Sequence, residues 1–120
     1  MAKTLGCLIA VFFLAGCGKQ PPEHDPLTGG NARKGKELIA EYGCGSCHKI
    51  RGVPGANATV APPLEDIAKR VYLAGRLANK PESLERWILD PRSVDPKSAM
   101  PKVGVDKDGA RDIAAYLYNQ

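Results

Sequence analysis

Five consecutive residues have the types and spacing to carry chemistry: Cys44, Gly45, Ser46, Cys47 and His48. Two thiols separated by two residues and followed directly by an imidazole form a C-x-x-C-H motif, the attachment site of c-type haem. Each thiol can form a thioether with one vinyl group of the porphyrin, and the histidine is then held beneath the iron as its proximal ligand. The motif therefore predicts one covalently bound haem c.

Two other kinds of site share part of this pattern. A C-x-x-C pair occurs in redox dithiols and in zinc sites. A zinc site would need a second pair of ligands, and the chain contains no cysteine or histidine after His48. A thioredoxin-like dithiol would need a βαβ context, and the sequence offers no strand-rich pattern. Haem attachment is the interpretation that the residues favour.

The N-terminus has the pattern of an export signal. Met1–Lys3 is short and basic, and Leu5–Leu14 is almost wholly apolar. This apolar run is shorter than the roughly 20 residues that a transmembrane helix needs, so it is interpreted as the core of a secretory signal peptide. The motif is therefore expected to act outside the cytoplasm.

The signal ends in Leu14-Ala15-Gly16-Cys17, which resembles the lipobox of bacterial lipoproteins. The resemblance implies that residues 1–16 are removed and that Cys17 is lipidated. Several acyl chains on one cysteine would hold the protein at a membrane, facing the periplasm or the cell exterior. The alternative is an ordinary signal peptide in which Cys17 is incidental. Cys7 lies inside the apolar run and is expected to leave with the signal.

The mature chain divides into a tether and a domain. Residues 17–30 comprise Cys17 and a segment rich in proline and glycine with almost no apolar residues. This segment is predicted to be extended and solvated. His24 lies inside it and is interpreted as solvated rather than as an iron ligand. Residues 31–120 are predicted to fold as one haem domain.

Helical signals and the absence of strand signals predict an all-α fold for this domain. No alternating apolar pattern and no internal repeat occurs. The predicted helices run from the N-cap Asn31 to about Tyr42, from Pro62-Pro63 to about Val71, from Pro81 to Pro91, and from the cap Asp106 towards the C-terminus.

A sixth ligand for the iron is predicted from the methionine content. The chain has two methionines, and Met1 leaves with the signal. Met100 lies in a stretch broken by Pro96 and Pro101, whereas a core methionine normally lies on an apolar helix face. Methionine opposite His48 would fill both axial positions and raise the reduction potential. The alternative is a loop methionine that packs on the porphyrin edge.

With these residues in place, the chain resembles a class I c-type cytochrome with one haem. It is similar in particular to the cytochrome c domains fused to, or working beside, subunit II of haem–copper oxidases. The stretches that carry the resemblance are Tyr42–His48, Ala61–Leu64, Leu84–Pro91, Asp95–Val105 and Asp108–Tyr118.

The resemblance implies roles for further residues. The carbonyl of Pro62 would accept a hydrogen bond from the N–H of the second ring nitrogen of His48, which orients the ring and raises its basicity. The family usually has Gly-Pro here, whereas this chain has Ala61-Pro62. Gly35 and Tyr116 match positions where the first and last helices cross. The residues that fall where the family contacts the haem propionates or the methionine side are Arg70, Trp87 and Ser98.

Charge gives a weaker indication of partners. The formal net charge of +4 becomes +3 when residues 1–16, with one lysine, are removed. Cations flank the two ligand segments and could surround an exposed haem edge, where they would steer docking onto an acidic partner. An ordinary solvated surface is the equally weighted alternative. These cations are Lys49, Arg51, Lys97 and Lys102.

The predicted function is electron transfer rather than catalysis. The expected partners are redox proteins: a terminal oxidase as acceptor, and a quinol-oxidising complex or a dehydrogenase as donor. No motif or basic run indicates a nucleic acid. The alternatives are a haem enzyme such as a peroxidase or a haem sensor, with Met100 detached, and an electron-transfer subunit bound permanently to a dehydrogenase.

Overall fold

The computed structural model describes residues 18–120. The predicted signal peptide and the predicted lipidation site at Cys17 therefore lie outside the described residues. Within residues 18–120, no helix is both long enough and apolar enough to span a bilayer. The elements are helix α1 (Ala32–Glu41), strands β1 (Tyr72–Leu73) and β2 (Leu77–Ala78), helices α2 (Pro81–Leu89), α3 (Pro91–Val94) and α4 (Lys107–Tyr118), and 3₁₀ turns at Cys44–Ser46 and Ile67–Lys69.

The first and last helices begin where the sequence predicts. The side chain of Asn31 accepts a hydrogen bond from the backbone N–H of Lys34 at 3.0 Å. Asp106 caps α4 in the same way, accepting from Gly109 at 2.7 Å. Each cap satisfies an N–H group that has no partner inside its helix.

The crossing of α1 and α4 organises the core. Gly35 is buried at this crossing, and a Cβ placed on it would lie 1.9 Å from the backbone oxygen of Asp112. Only glycine allows the two backbones to approach this closely. Helix α2 also packs on α4. The buried residues of the three helices include Ala32, Ile39, Leu84, Ile88, Ala110, Ile113, Ala114 and Leu117.

The helix predicted from Pro62-Pro63 to Val71 is wrong. This stretch is irregular apart from the 3₁₀ turn Ile67–Lys69. Asp66 has φ +57°, in the left-handed region, which interrupts a right-handed helix after its first turn. The backbone N–H groups of Ala61 and Leu64 donate instead to the carbonyls of Cys47 and Lys49 at 2.9 and 2.8 Å.

A small hairpin follows, which the sequence analysis did not predict. β1 and β2 pair antiparallel, with Leu73 opposite Leu77. Ala74 and Gly75 at the turn both have positive φ, 51° and 66°. Two-residue strands carry too little alternation to be detected by periodicity. The fold is therefore largely helical with one small hairpin.

The second half of the predicted tether lies on the domain, which differs from the extended, solvated segment predicted for it. Asp25 is only 4% exposed. Its carboxylate accepts hydrogen bonds from the N–H and hydroxyl of Thr28, both at 2.8 Å, and from the amide of Asn119 at 2.9 Å. We call these contacts of Asp25, Thr28 and Asn119 the Asp25 clasp. It joins the entering chain to the end of α4.

Candidate haem site

The two cysteines of the motif lie on a tight turn directly after α1. Gly43 has φ +70° and reverses the chain at the end of the helix. The carbonyl of Cys44 then accepts from the backbone N–H groups of Cys47 and His48 at 3.3 and 3.0 Å. Both thiols are free and half-buried. Burial raises the pKa of the Cys44 thiol, which keeps it protonated near neutral pH. Free, adjacent thiols on one turn fit the attachment of two vinyl groups.

His48 is fixed by the loop that follows the motif. Its ring Nδ1 lies 2.6 Å from the carbonyl oxygen of Pro62. Because a carbonyl can only accept a hydrogen bond, Nδ1 must carry the proton, which leaves the lone pair on Nε2. An imidazole in this tautomer, with a carbonyl partner behind it, is oriented as a metal-ligating histidine requires. This is the contact that the family resemblance implies.

The loop that supplies this carbonyl is held on both sides. Ala61 donates to Cys47 and Leu64 donates to Lys49, so the backbone is fixed to the segment that carries His48. Among the described residues, the non-glycine residues with positive φ are Asp66 and Ala74. Ala61 is not one of them, so alanine in place of the usual glycine causes no backbone strain here.

Arg70 supports the same loop. Its guanidinium donates to the carbonyl oxygen of Pro63, one residue after the carbonyl that contacts the histidine. The backbone carbonyl of Arg70 in turn accepts from the side-chain amide of Asn79 at 2.7 Å. In this structure Arg70 therefore acts on the histidine side of the site.

Asn79 is a site residue that the sequence analysis missed. Its amide also donates to the carbonyl of Ile67 at 2.8 Å, and its side-chain oxygen accepts from the hydroxyl of Tyr118 at 2.6 Å. It thereby joins the stretch after the histidine loop to α4. Burial, and secondarily two nearby glutamates, raises the pKa of Tyr118 to about 12, so the hydroxyl remains a donor. No local spacing marks Asn79, because its partners lie 9 to 39 residues away.

Met100 lies in an irregular loop, as predicted, and is half-buried. The hydroxyl of Ser98 accepts from the backbone N–H of Met100 at 3.1 Å. Asp95 accepts from the N–H of Lys97 at 3.1 Å and also contacts Arg76 of the hairpin turn at 3.6 Å. These contacts hold the loop by its backbone and leave the thioether free.

Trp87 lies on α2, half-buried beside the fully buried Leu84 and Ile88. Two apolar side chains next to the loop that contacts His48 are largely exposed. Val60, directly before the histidine loop, is 80% exposed, and Val71, directly after Arg70, is 73% exposed. Apolar surface of this kind gains from covering by a large apolar group. Together with the free thiols and the tautomer of His48, it fits a porphyrin.

The cations predicted to surround the haem edge are largely paired. Lys49 contacts Glu65 at 3.1 Å and Lys102 contacts Asp90 at 3.3 Å. Arg51 approaches Asp66 at 3.6 Å, whereas Lys97 takes part in no ion pair within residues 18–120. Paired cations on an exposed surface favour the ordinary solvated face over a strongly basic docking ring.

Comparison with known proteins decides the family. The family model described as Cytochrome c matches residues 32–120. The chain belongs to the cytochrome c family. The predicted resemblance is thereby confirmed, and with it the cofactor: this family binds covalently attached haem c, and the C-x-x-C pair of Cys44 and Cys47 is present. A cytochrome c domain transfers electrons.

The similar curated proteins are both named cytochrome c oxidase subunit 2. The one from Alkalihalophilus pseudofirmus is 35% identical over 63 residues, which are 52% of this chain and 18% of that protein. The one from Bacillus sp. (strain PS3) is 35% identical over 78 residues, 63% of this chain and 20% of that protein. This cytochrome thus spans about a fifth of the length of these relatives. No solved structure matches it.

Proposed function

We propose that this cytochrome is a membrane-anchored carrier of single electrons in a respiratory chain, and that its acceptor is a terminal haem–copper oxidase. The observation that carries the proposal is the hydrogen bond of His48 to the Pro62 carbonyl. It fixes the imidazole with Nε2 free for the iron, so the proximal side changes little between oxidation states. The bound haem supplies the redox chemistry, as its iron cycles between Fe(II) and Fe(III).

The chain's own residues favour a closed site. Met100 is the one thioether left in the mature chain, and its loop is held by Ser98 and Asp95 without using the sulfur. With sulfur on one side and His48 on the other, no coordination position would remain for a substrate, and the soft sulfur ligand would favour the reduced state. Such a site passes electrons and does not bind peroxide.

The partner is inferred from the relatives. Both similar proteins are named as subunit 2 of cytochrome c oxidase, which supports an oxidase as the partner. The role that we infer for this domain is electron donation to an oxidase of that class.

Oxidation by membranes tests the acceptor. The reduced, purified protein should be oxidised in turnover by membranes that contain a haem–copper oxidase, and the oxidation should stop with cyanide. In turnover with an electron donor poised near the reduction potential of the parent protein, Met100→Ala should stay largely oxidised, because its lower reduction potential disfavours Fe(II), whereas Lys97→Ala in the same loop should be reduced as the parent is. Failure of the parent protein to be oxidised, together with rapid peroxide turnover, would favour the haem enzyme instead.

Anchoring is tested separately. The lipobox leader is replaced by a signal peptide that is cleaved without a cysteine, and Cys17→Ser is introduced, so that no uncleaved leader can retain the protein. The variant should carry haem and leave the membranes in high salt without detergent, whereas the native protein should stay. Intact mass should show acyl groups on the native protein only. Release of the native protein in high salt would refute the anchor.

A further inference from the structure

The entering chain forms a cleft with the end of the domain. The cleft is lined by residues 19–22 of the entering chain, by Lys36 of α1, by Arg51 and Gly52 of the loop after the motif, and by Tyr116, Asn119 and Gln120. The cleft has a volume of about 590 Å³. A smaller adjoining cleft of about 360 Å³ shares Lys19 and Lys36 with it. We call the larger one the N-terminal cleft.

The lining of the N-terminal cleft is cationic. It includes Lys19, Lys36 and Arg51 and no Asp or Glu side chain, whereas the adjoining cleft also contains Glu37. Lys19 and Lys36 take part in no ion pair within residues 18–120, and Arg51 has one loose contact of 3.6 Å, to Asp66. Three cations that line a cleft without an Asp or Glu side chain attract an anion.

The position of the cleft in the chain points to one anion. Lys19 follows Cys17 by two residues, and the Asp25 clasp holds the chain on the domain a few residues further on. A chain spans at most about 3.6 Å per residue, so Pro22 stays within roughly 18 Å of Cys17 and Lys19 within roughly 7 Å. Acyl chains on Cys17 would therefore keep Lys19 within one Debye length, about 8 to 10 Å, of the lipid headgroups.

We propose that the N-terminal cleft is a membrane-facing site that binds the phosphates of anionic lipid headgroups. The inference rests on the anchoring proposed above. Binding there orients the domain, because the cleft and the anchored end of the chain then meet the bilayer on the same side. The Asp25 clasp restricts this orientation, since it removes the second half of the predicted tether as a free linker.

The test uses holoprotein without the anchor, so that headgroup binding is measured independently of lipidation. The Cys17→Ser protein of the anchoring test, with its replaced leader, is sedimented with vesicles of phosphatidylcholine, with or without phosphatidylglycerol. It should bind the phosphatidylglycerol vesicles and lose this binding in high salt. Each Lys or Arg near an anionic surface contributes about fivefold to partitioning. The triple variant Lys19→Gln, Lys36→Gln, Arg51→Gln should therefore bind about 100-fold more weakly.

A matched variant separates the cleft from net charge. Lys80→Gln, Arg92→Gln and Lys107→Gln remove the same charge from exposed positions outside the cleft. Binding by this variant within about fivefold of the parent supports the cleft. Equal loss in both triple variants means that only net charge matters, and absence of binding by the parent means that the cleft faces something other than lipid. Either result overturns the inference. If intact mass instead shows no acyl groups on the native protein while the cleft still binds anionic vesicles, only the anchor is refuted.

Discussion

Replacing Gly35 with alanine should destabilise the protein, although alanine is the better helix former. A Cβ at this position would lie 1.9, 2.5 and 2.9 Å from the O and C atoms of Asp112 and the N atom of Ile113. All three belong to the backbone of α4, so no side chain can rotate out of the way. Heavy atoms pack at about 3.5 Å, so the two helices would have to separate by roughly 1.5 Å.

The magnitude follows from two opposing effects. Alanine in a helix interior gains about 1 kcal/mol over glycine. Overpacking of a closely packed contact costs typically about 1–3 kcal/mol and occasionally more. The clash of Gly35→Ala involves backbone on both sides, and the separation would also strain the hydrogen bond from Asn31 N–H to Asp112 at 2.7 Å. We expect the upper end of the cost, with a net loss of about 2 kcal/mol or more in the free energy of unfolding.

Guanidinium unfolding of the oxidised holoprotein measures this loss, followed by far-UV circular dichroism and by the haem absorbance. Ala40→Gly is the matched control, because Ala40 is exposed on the same helix and its change should cost only about 1 kcal/mol. A Gly35→Ala protein at least as stable as the parent would show that the two helices do not cross in close contact at this glycine.

Three further changes test other contacts. Burial raises the pKa of Asp25, but the hydrogen bonds that its carboxylate accepts, first from Asn119, outweigh burial, so the pKa lies below its usual value. The contribution of these bonds to folding stability is therefore complete above the unfolded pKa of about 4 and is lost as the pH falls. Asp25→Asn should lower the free energy of unfolding by about 1–3 kcal/mol and make the melting temperature depend less on pH in the acid range. A variant whose melting temperature falls with acid pH as steeply as that of the parent would contradict the clasp. The pKa of Tyr118 is raised to about 12. The contribution of its hydroxyl to folding stability should therefore be complete below the unfolded pKa of about 10 and decrease as the pH rises above it. Ultraviolet titration of the parent and of Tyr118→Phe should show that this tyrosine ionises last. Tyr116→Phe removes a 2.7 Å bond to the Arg51 carbonyl and should cost about 1–2 kcal/mol in urea unfolding; an unchanged midpoint would be evidence against that bond.

The features that could be predicted from sequence are those with local causes. The haem motif is five adjacent residues, and the caps Asn31 and Asp106 act on N–H groups three residues away. The hydrogen bond from His48 to the carbonyl of Pro62 is a long-range contact between residues 14 apart in sequence. It could be foreseen only because the family resemblance supplied it.

The features that the sequence analysis missed depend on distant partners. The stretch after Pro63 has apolar spacing typical of a helix, yet it is irregular, and the N–H group of Leu64 donates to the distant carbonyl of Lys49. Asp25 lies in a segment whose composition is that of a free linker, yet it accepts a hydrogen bond from Asn119, 94 residues away. Asn79 likewise acts through hydrogen bonds to three residues in two distant segments. The spacing of residues within the sequence does not predict such contacts.

Carbon monoxide binding tests the central claim, that this cytochrome carries electrons through a haem with both axial positions filled. The reduced parent protein should bind carbon monoxide slowly and weakly, because the proposal assigns Met100 to the sixth position. Met100→Ala should bind it rapidly, while Lys97→Ala, exposed in the same loop, should behave as the parent. Rapid binding by the unmutated reduced protein would mean that the sixth position is already open. The electron-carrier proposal would then give way to a haem enzyme or a haem sensor.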